Sequence, residues 1–219
     1  SNVTLENYPN GAHVLDFASI LAVVRSAFET YINMFELYFE TMGADEFEYR
    51  HAVYMVKGFK ARELFPPTDP DVETVKKVES QIRDIERMRE RIRSSKWYKE
   101  LSKDQQTNSC NGIIYPKRDF NERARIAGFS LHGTKRIYTF LSAYTHGDSL
   151  SLIQIGTATD TETQQYLDYA LFVMSLVISL TLVNFVKRFE EAKPVWQAHS
   201  TTLIYHLVNN LVELAKNLR

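Results

Sequence analysis

Residues 169–186 read YALFVMSLVISLTLVNFV, eighteen consecutive positions without a charged side chain. A stretch of this length is about the shortest that can cross a membrane as a helix. Four polar residues interrupt it, however, Asp168 directly precedes it, and no second stretch of this kind accompanies it. A helix that is apolar on all sides is also what the centre of a helical bundle requires. We therefore expect residues 160–191 to form the central helix of a soluble all-α protein without a membrane partner.

The composition agrees with a helical protein of ordinary globular type. Hydrophobic residues make up 44% of the 219 positions and charged residues 24%, which is typical of a folded rather than a disordered chain. Only 8 Gly and 6 Pro are present, which favours long helices over many short strands. The length predicts one helical domain over residues 1–219. The single cysteine, Cys110, excludes an internal disulfide and predicts a cytoplasmic protein.

Helical periodicity, capping residues and helix breakers predict a bundle of about seven helices. Asp69 and Pro70 form a start signal, Asp119 and Glu122 form a second, and Thr159 with Glu162 a third. Residues 102–118 lack periodicity and are predicted to form a loop. The expected helices cover residues 12–42, 45–65, 70–101, 119–128, 131–146, 160–191 and the region from Pro194 onwards.

The helix predicted at 70–101 has one narrow apolar seam, and the rest of its surface is charged. A single seam can complete its burial against a second copy, so we expect a homodimer through this helix. From Lys76 to Lys103 there are ten Lys or Arg against five Asp or Glu, a net of +5 that could contact phosphates of RNA. Ion pairs three or four residues apart are the more ordinary interpretation of such a run, so RNA is a minor expectation. The expected pairs are Glu79–Arg83, Glu86–Arg89 and Glu90–Arg93.

One row of polar residues stands out on the helix predicted at 131–146. Tyr138, Ser142 and His146 are four residues apart and share a face, and Gly147 and Asp148 follow directly. His146 could act as a general acid or base or bind phosphate, because imidazole titrates near neutral pH. It could equally interact with the negative end of the helix dipole, within a structural polar cluster. Both interpretations stay open at this stage.

A second polar stripe lies on the first predicted helix. Arg25 and Glu29 are four residues apart, and the stripe continues through Asn33, Glu36 and Glu40. It could face the row on the 131–146 helix and complete a site. Alternatively, it could be the solvent side of an otherwise apolar helix, where such a pair adds only a few tenths of a kcal/mol.

Residues 121–128 read NERARIAG, Tyr-x-x-Leu-Ser-x-x-x-His spans 138–146, and Arg-x-x-x-Glu spans 25–29. Together these motifs resemble those of an uncharacterised bacterial family of helical proteins. The resemblance implies a helical binding or regulatory module, in bacterial defence or stress response, with an unknown ligand. The site residues it implies, as a catalytic or structural polar cluster, are Arg25, Glu29, Tyr138, Ser142 and His146.

That family is similar in architecture to HEPN domains, helical proteins that include ribonucleases of toxin and phage-defence systems. The similarity implies an alternative function, a HEPN-like ribonuclease acting on RNA. HEPN sites use Arg-x(4–6)-His on one helix, and this chain departs from that pattern. Arg136 is ten positions before His146, and the formal match from Arg125 to His132 crosses Gly128, where we expect a helix break. A ribonuclease site would therefore have to take Arg25 and His146 from different helices.

No metal or cofactor is expected. His199 and His206 lie near one face of the last predicted helix, but no Asp, Glu or Cys accompanies them at ligand spacing. Gly-rich phosphate loops and the common hydrolase motifs are also missing.

Overall fold

The computed structural model describes residues 17–40, 43–63, 71–115, 117–145 and 157–218, and within these ranges the chain is helical without a strand. The all-α prediction is confirmed. A π-helical turn, Phe35–Phe39, continues the first helix. The ten α-helices of the described ranges, more than the seven or so expected, are α1 (Phe17–Met34), α2 (Ala44–Glu63), α3 (Val72–Ser94), α4 (Lys96–Lys99), α5 (Lys103–Ser109), α6 (Phe120–Ile126), α7 (Leu131–Thr145), α8 (Asp160–Arg188), α9 (Ala192–Ala198) and α10 (Leu203–Asn217).

These helices group into two compact units. The large unit holds α1 with its π-helical turn and α6 to α10, and the small unit holds α2 to α5. Each has its own buried apolar cluster. A single folding domain over the whole chain stays a prediction.

The large unit is built around α8, which packs against α1, α9 and α10, while α1 also packs against α7. Val173, Leu176 and Leu180 of α8 are buried in one core with Leu21 and Phe28 of α1. Among the described helices α8 alone is long and apolar enough to cross a membrane, and 39% of its most apolar window is buried inside the protein. A core helix satisfies the same criteria of length and hydropathy. The cytoplasmic location stays a prediction.

Local capping chemistry sets the start of α8. Thr159 accepts a hydrogen bond from the Glu162 amide, and the Glu162 side chain accepts one from the Thr159 amide, as predicted.

Gly128, which ends the α6 region, has a φ of 105°, a left-handed conformation that favours glycine. A Cβ at Gly128 would lie 2.9 Å from a methyl carbon of Leu180, so α8 also restricts this position to glycine.

The predicted loop over residues 102–118 is partly wrong, because residues 103–109 form α5. The Ser102 side chain accepts from the Gln105 amide, and the Gln105 side chain accepts from the Ser102 amide. This reciprocal cap stabilises a helix too short and too polar to show periodicity. The Asp69–Pro70 start signal lies outside the described residues, and Asp71 provides the cap of α3.

Two predicted long helices are each divided by a serine or threonine. The helix expected over 70–101 ends at Ser94, because the Ser95 side chain accepts from the Trp97 amide and begins α4. The final helix is divided into α9 and α10, because Thr202 caps a new helix by accepting from the Tyr205 amide. Side-chain oxygens that satisfy the first free amides stabilise such restarts.

In the small unit α2 packs against α3 around Tyr49, Val53 and Ile92. The apolar seam of α3 is only half covered. Ile85, Met88 and Ile92 are buried, whereas Val75, Val78 and Ile82 in the N-terminal half are 40% to 58% exposed.

Candidate functional site

The structure brings Arg25 and Glu29 of α1 together with Tyr138 of α7, in the large unit. Arg25 is only 9% exposed, so this part of α1 is not its solvent side. Its Nε donates to Glu29 Oε1 at 3.1 Å, and its Nη2 donates to the Tyr138 hydroxyl at 3.1 Å. The guanidinium carbon also lies 5.1 Å from the centre of the Tyr138 ring, within the range of a cation–π contact. We call Arg25, Glu29, Tyr138 and Ser142 the α1–α7 cluster.

Aromatic packing fixes the position of Tyr138. Its ring centre lies 4.6 Å from that of Phe120 in α6, and Phe120 in turn contacts Phe28 of α1 edge to face at 5.9 Å. Such contacts restrict the ring and therefore hold the hydroxyl towards Arg25. α6 thus positions the cluster, although it supplies none of its polar atoms.

Ser142 lies one turn after Tyr138 on α7, and its hydroxyl oxygen is buried without a hydrogen-bond partner in the part of the chain that the structure describes. Thr145, on the same helix, instead donates to the carbonyl of Leu141 at 3.0 Å. Native proteins leave few buried polar atoms unpaired, so the Ser142 hydroxyl calls for an explanation. His146, the fifth residue of the predicted site, lies outside the described residues, as do Gly147 and Asp148.

The continuation of the α1 stripe has a partner that the sequence analysis missed. Nη2 of Arg123 in α6 donates to Asn33 Oδ1 at 2.6 Å and lies 2.8 Å from Glu36 Oε2. Glu36 is 8% exposed and sits on the π-helical turn, where the sequence predicted a regular α-helix. A buried carboxylate needs a cation, so a buried stripe with Glu36 could have indicated an arginine opposite.

The α1 stripe is charge-balanced within the large unit. Arg25 pairs with Glu29 at 3.0 Å, and Arg123 pairs with Glu36. Among the described residues, two cations of this stripe therefore meet two carboxylates. No group of three or more His, Cys, Asp or Glu side chains that could hold a metal ion occurs among the described residues.

Glu40, which the sequence placed on the same stripe, belongs to an ionic network of the small unit. It accepts from Arg50 at 2.6 Å and from Arg118 at 2.8 and 2.9 Å, and Arg50, itself buried, also pairs with Glu46. Burial works to raise the pKa of Glu40, but the hydrogen bonds and charges of Arg118 and Arg50 outweigh it and hold the pKa below its ordinary value. We interpret this network as structural, because each of its charges faces an opposite one.

The charges of α3 are mostly engaged in ion pairs. Arg89 pairs with Glu86 as expected, and Arg93 pairs with Glu86 rather than with Glu90. A further pair reaches α2, from Arg91 to Glu48, and the neighbouring Lys96 of α4 pairs with Asp45 of α2. This pattern is typical of a solvated helix.

Arg125 and His132, the formal HEPN match, lie on α6 and α7 respectively, and both side chains are exposed. The expected helix break between them at Gly128 is present. Their placement therefore gives no shared helical face of the HEPN kind.

Comparison of the chain with protein-family models, curated proteins and solved structures gave no match. The resemblance to the bacterial helical family therefore rests on its sequence motifs.

Proposed function

We propose that the chain is a helical binding or regulatory module in which the α1–α7 cluster holds the ligand. The observation that carries this proposal is the buried hydroxyl of Ser142, which has no hydrogen-bond partner among the described residues and lies one turn of α7 after Tyr138, a residue that Arg25 already binds. A buried hydroxyl without a partner costs about 1–3 kcal/mol, and a polar ligand group that reached it would remove that cost. Bacterial defence or stress response, the setting that the family resemblance implies, belongs to the same proposal.

The Ser142→Ala substitution tests the proposal by the sign of its effect. If the hydroxyl is unpaired until a ligand binds, its removal should leave the free energy of unfolding of the ligand-free protein unchanged or raise it by about 1–2 kcal/mol, because an unpaired polar atom is removed. Thr145→Ala is the matched control, since it also deletes a hydroxyl from α7 and brings the same gain of helix propensity from alanine. A loss of more than about 1 kcal/mol in Ser142→Ala alone would identify Ser142 as a structural residue and overturn the proposal.

Ligand classes can be screened by thermal shift with adenosine, ATP, cyclic AMP and a short single-stranded RNA. A probe that binds the cluster should raise the melting temperature of the wild-type protein, by mass action, and lose this effect in Ser142→Ala and Tyr138→Phe. A shift that survives in both variants would place the binding site elsewhere.

The alternative function is a HEPN-like ribonuclease that takes Arg25 from α1 and His146 from the end of the α7 row. It is supported by the bond from Arg25 to Tyr138, because His146 continues the same row by its spacing in the sequence. His146→Ala should then lose cleavage of a labelled RNA while keeping its melting temperature. His132→Ala is the control, since His132 is exposed and forms only the formal match. Loss of cleavage in the control instead, or no cleavage by the wild-type protein, would exclude this alternative.

We also propose a homodimer through α3 and a HEPN-like arrangement of about seven main helices. The dimer is supported by the exposed N-terminal half of the α3 seam, where Val75, Val78 and Ile82 lack cover. Ile82→Glu should then convert a dimer into a monomer in light scattering. An unchanged mass would remove the α3 interface.

A further inference from the structure

The outward face of α8 carries an apolar seam of coiled-coil type. Its positions alternate in steps of four and three residues, the spacing with which helices pack knobs into holes. The four positions with the largest apolar exposure, between 42% and 66%, are Leu171, Ile178, Phe185 and Phe189. Ser175 and Leu182 lie between them and are half-buried. The seam faces away from the buried side of α8, which is formed by residues such as Val173 and Leu180.

This seam can be covered without leaving a polar group unpaired. The hydroxyl of Ser175 donates to the carbonyl of Leu171 at 2.8 Å, so it needs no external partner. Residues 169–186 contain no charge, and the charged residues nearest the two ends of the seam, Asp168, Lys187 and Arg188, are exposed, so a second helix can cover its centre without burying an ion. Packing of an apolar helix against this face is therefore more favourable than its exposure to water.

We propose that the seam binds a second copy of this chain, with the two α8 helices antiparallel. An antiparallel two-fold axis between Ile178 and Leu182 places these two residues of one copy opposite Leu182 and Ile178 of the other. It also places Ser175 opposite Phe185 of the second copy, so that a small residue faces a large one. By the same symmetry Leu171 faces Phe189, so apolar side chains meet in this layer as well.

Charge at the two ends of α8 favours the antiparallel direction. Residues 160–168 carry Asp160, Glu162 and Asp168, a net charge of −3. Residues 187–193 carry three basic and two acidic residues, a net of +1. An antiparallel pair brings the acidic end of one helix beside the basic end of the other, whereas a parallel pair would bring −3 against −3. The helix dipoles favour the same antiparallel choice.

The exposed apolar area is large enough to matter for a dimer. The seam's four most exposed apolar side chains alone present roughly a few hundred Å², the size at which exposed apolar patches mark interaction sites. α10, which packs against α8, carries further exposed apolar side chains, namely Leu203, Ile204, Leu207 and Leu214. A stable interface buries about 800 Å² on each copy, so the seam and its surroundings supply much of what a homodimer needs.

Oligomeric state is the first test, measured by light scattering over a wide range of concentration. If α8 alone forms the interface, the wild-type protein should be dimeric and Ile178→Glu monomeric with an unchanged circular dichroism spectrum, because a charge in the central layer would be buried at the interface. Val23→Glu is the matched control: Val23 is 66% exposed on α1 of the same unit, lies outside the seam, and its substitution should leave the dimer intact. Ile82→Glu separates this interface from the one proposed on α3.

Cross-linking tests the direction of packing without depending on how Ile178→Glu folds. In a Cys110→Ser background, copies with Leu171→Cys and copies with Phe189→Cys should form a disulfide-linked dimer when mixed, and neither should do so alone. The two positions are 18 residues apart on the helix, which is about 27 Å. Cross-linking of each variant with itself would show a parallel pair and overturn the antiparallel geometry.

The remaining outcomes divide as follows. A wild-type monomer at all concentrations, or flotation of the protein with phosphatidylcholine vesicles, would overturn the proposal, the second in favour of a lipid surface. A dimer that only Ile82→Glu dissociates would overturn it in favour of α3. A larger assembly that Ile178→Glu and Ile82→Glu each reduce to dimers would support both interfaces, because two different two-fold contacts generate chains longer than a dimer.

Discussion

Replacing Arg123 by methionine removes the only cation that the structure shows beside Glu36 among the described residues. The Glu36 side chain is 10% exposed and that of Arg123 is 21% exposed, so the pair is largely shielded from water. Loss of one member of a buried pair costs about 3–5 kcal/mol, because the remaining charge stays buried without compensation. Since the Arg123 side chain keeps some contact with solvent, we expect the lower end, about 3 kcal/mol. Methionine keeps much of the volume, so cavity formation adds little to this figure.

The effect can be measured by urea unfolding followed by circular dichroism. For a chain of this size, a loss of about 3 kcal/mol corresponds to a decrease of roughly 6–12 °C in melting temperature. Arg125→Met is the matched control, because Arg125 lies on the same short helix but is exposed, and its substitution should cost less than about 0.5 kcal/mol.

The double variant Glu36→Met with Arg123→Met distinguishes a charge effect from a packing effect. When both charges are removed, no ion remains buried without a partner, so the double variant should be more stable than Arg123→Met alone. An Arg123→Met protein as stable as the Arg125→Met control would refute the reasoning. So would a double variant whose loss equals the sum of the two single losses.

Three further predictions concern glycine, capping and pH. Gly128→Ala should lower the free energy of unfolding, measured in urea, by about 2 kcal/mol, because alanine disfavours a positive φ and its Cβ would meet Leu180. An unchanged free energy of unfolding would contradict the conformation of this turn. Thr159→Ala should cost about 1 kcal/mol through loss of the α8 cap, whereas Thr159→Ser should restore most of it. Because the pKa of Glu40 is lower in the folded state, its contribution to stability is present above its ordinary pKa and is lost as the pH falls through the lower folded value. Urea unfolding at decreasing pH should therefore show a smaller acid loss in Glu40→Gln than in the wild-type protein, and equal losses would contradict the role of Arg118.

The features that the sequence predicted well are those set by local chemistry. The start of α8 follows from the reciprocal bonds of Thr159 and Glu162, which involve residues only three apart. Gly128 predicts a helix end because few other residues accept its backbone conformation. The apolar run after Asp168 predicts a core helix because its length and composition are visible without knowledge of any partner.

The features that the sequence did not predict depend on residues distant in the chain. Arg123 became a partner of Glu36 only through the packing of α6 against α1, across 87 positions of the chain. The α5 helix was missed because its stability comes from one cap rather than from an apolar periodicity. Burial of Arg25 against Tyr138 was one of two interpretations that spacing alone could not separate, since the spacing of a stripe does not tell which side faces the core.

Each half of the α1 stripe contains an ion pair, and beside each one buried polar atom has no hydrogen-bond partner among the described residues. In one half Arg123 binds Asn33 and Glu36 through Nη2, whereas its buried Nε has no hydrogen-bond partner among the described residues. In the other half Arg25 binds Glu29 and Tyr138, and the hydroxyl of Ser142, one turn further along α7, has no partner in the part of the chain that the structure describes. An anionic ligand would have to compete for Arg25 with a carboxylate tethered four residues away, at a very high effective concentration. A neutral group that donates or accepts a hydrogen bond meets no such competition, so the ligand group that reaches Ser142 should be uncharged.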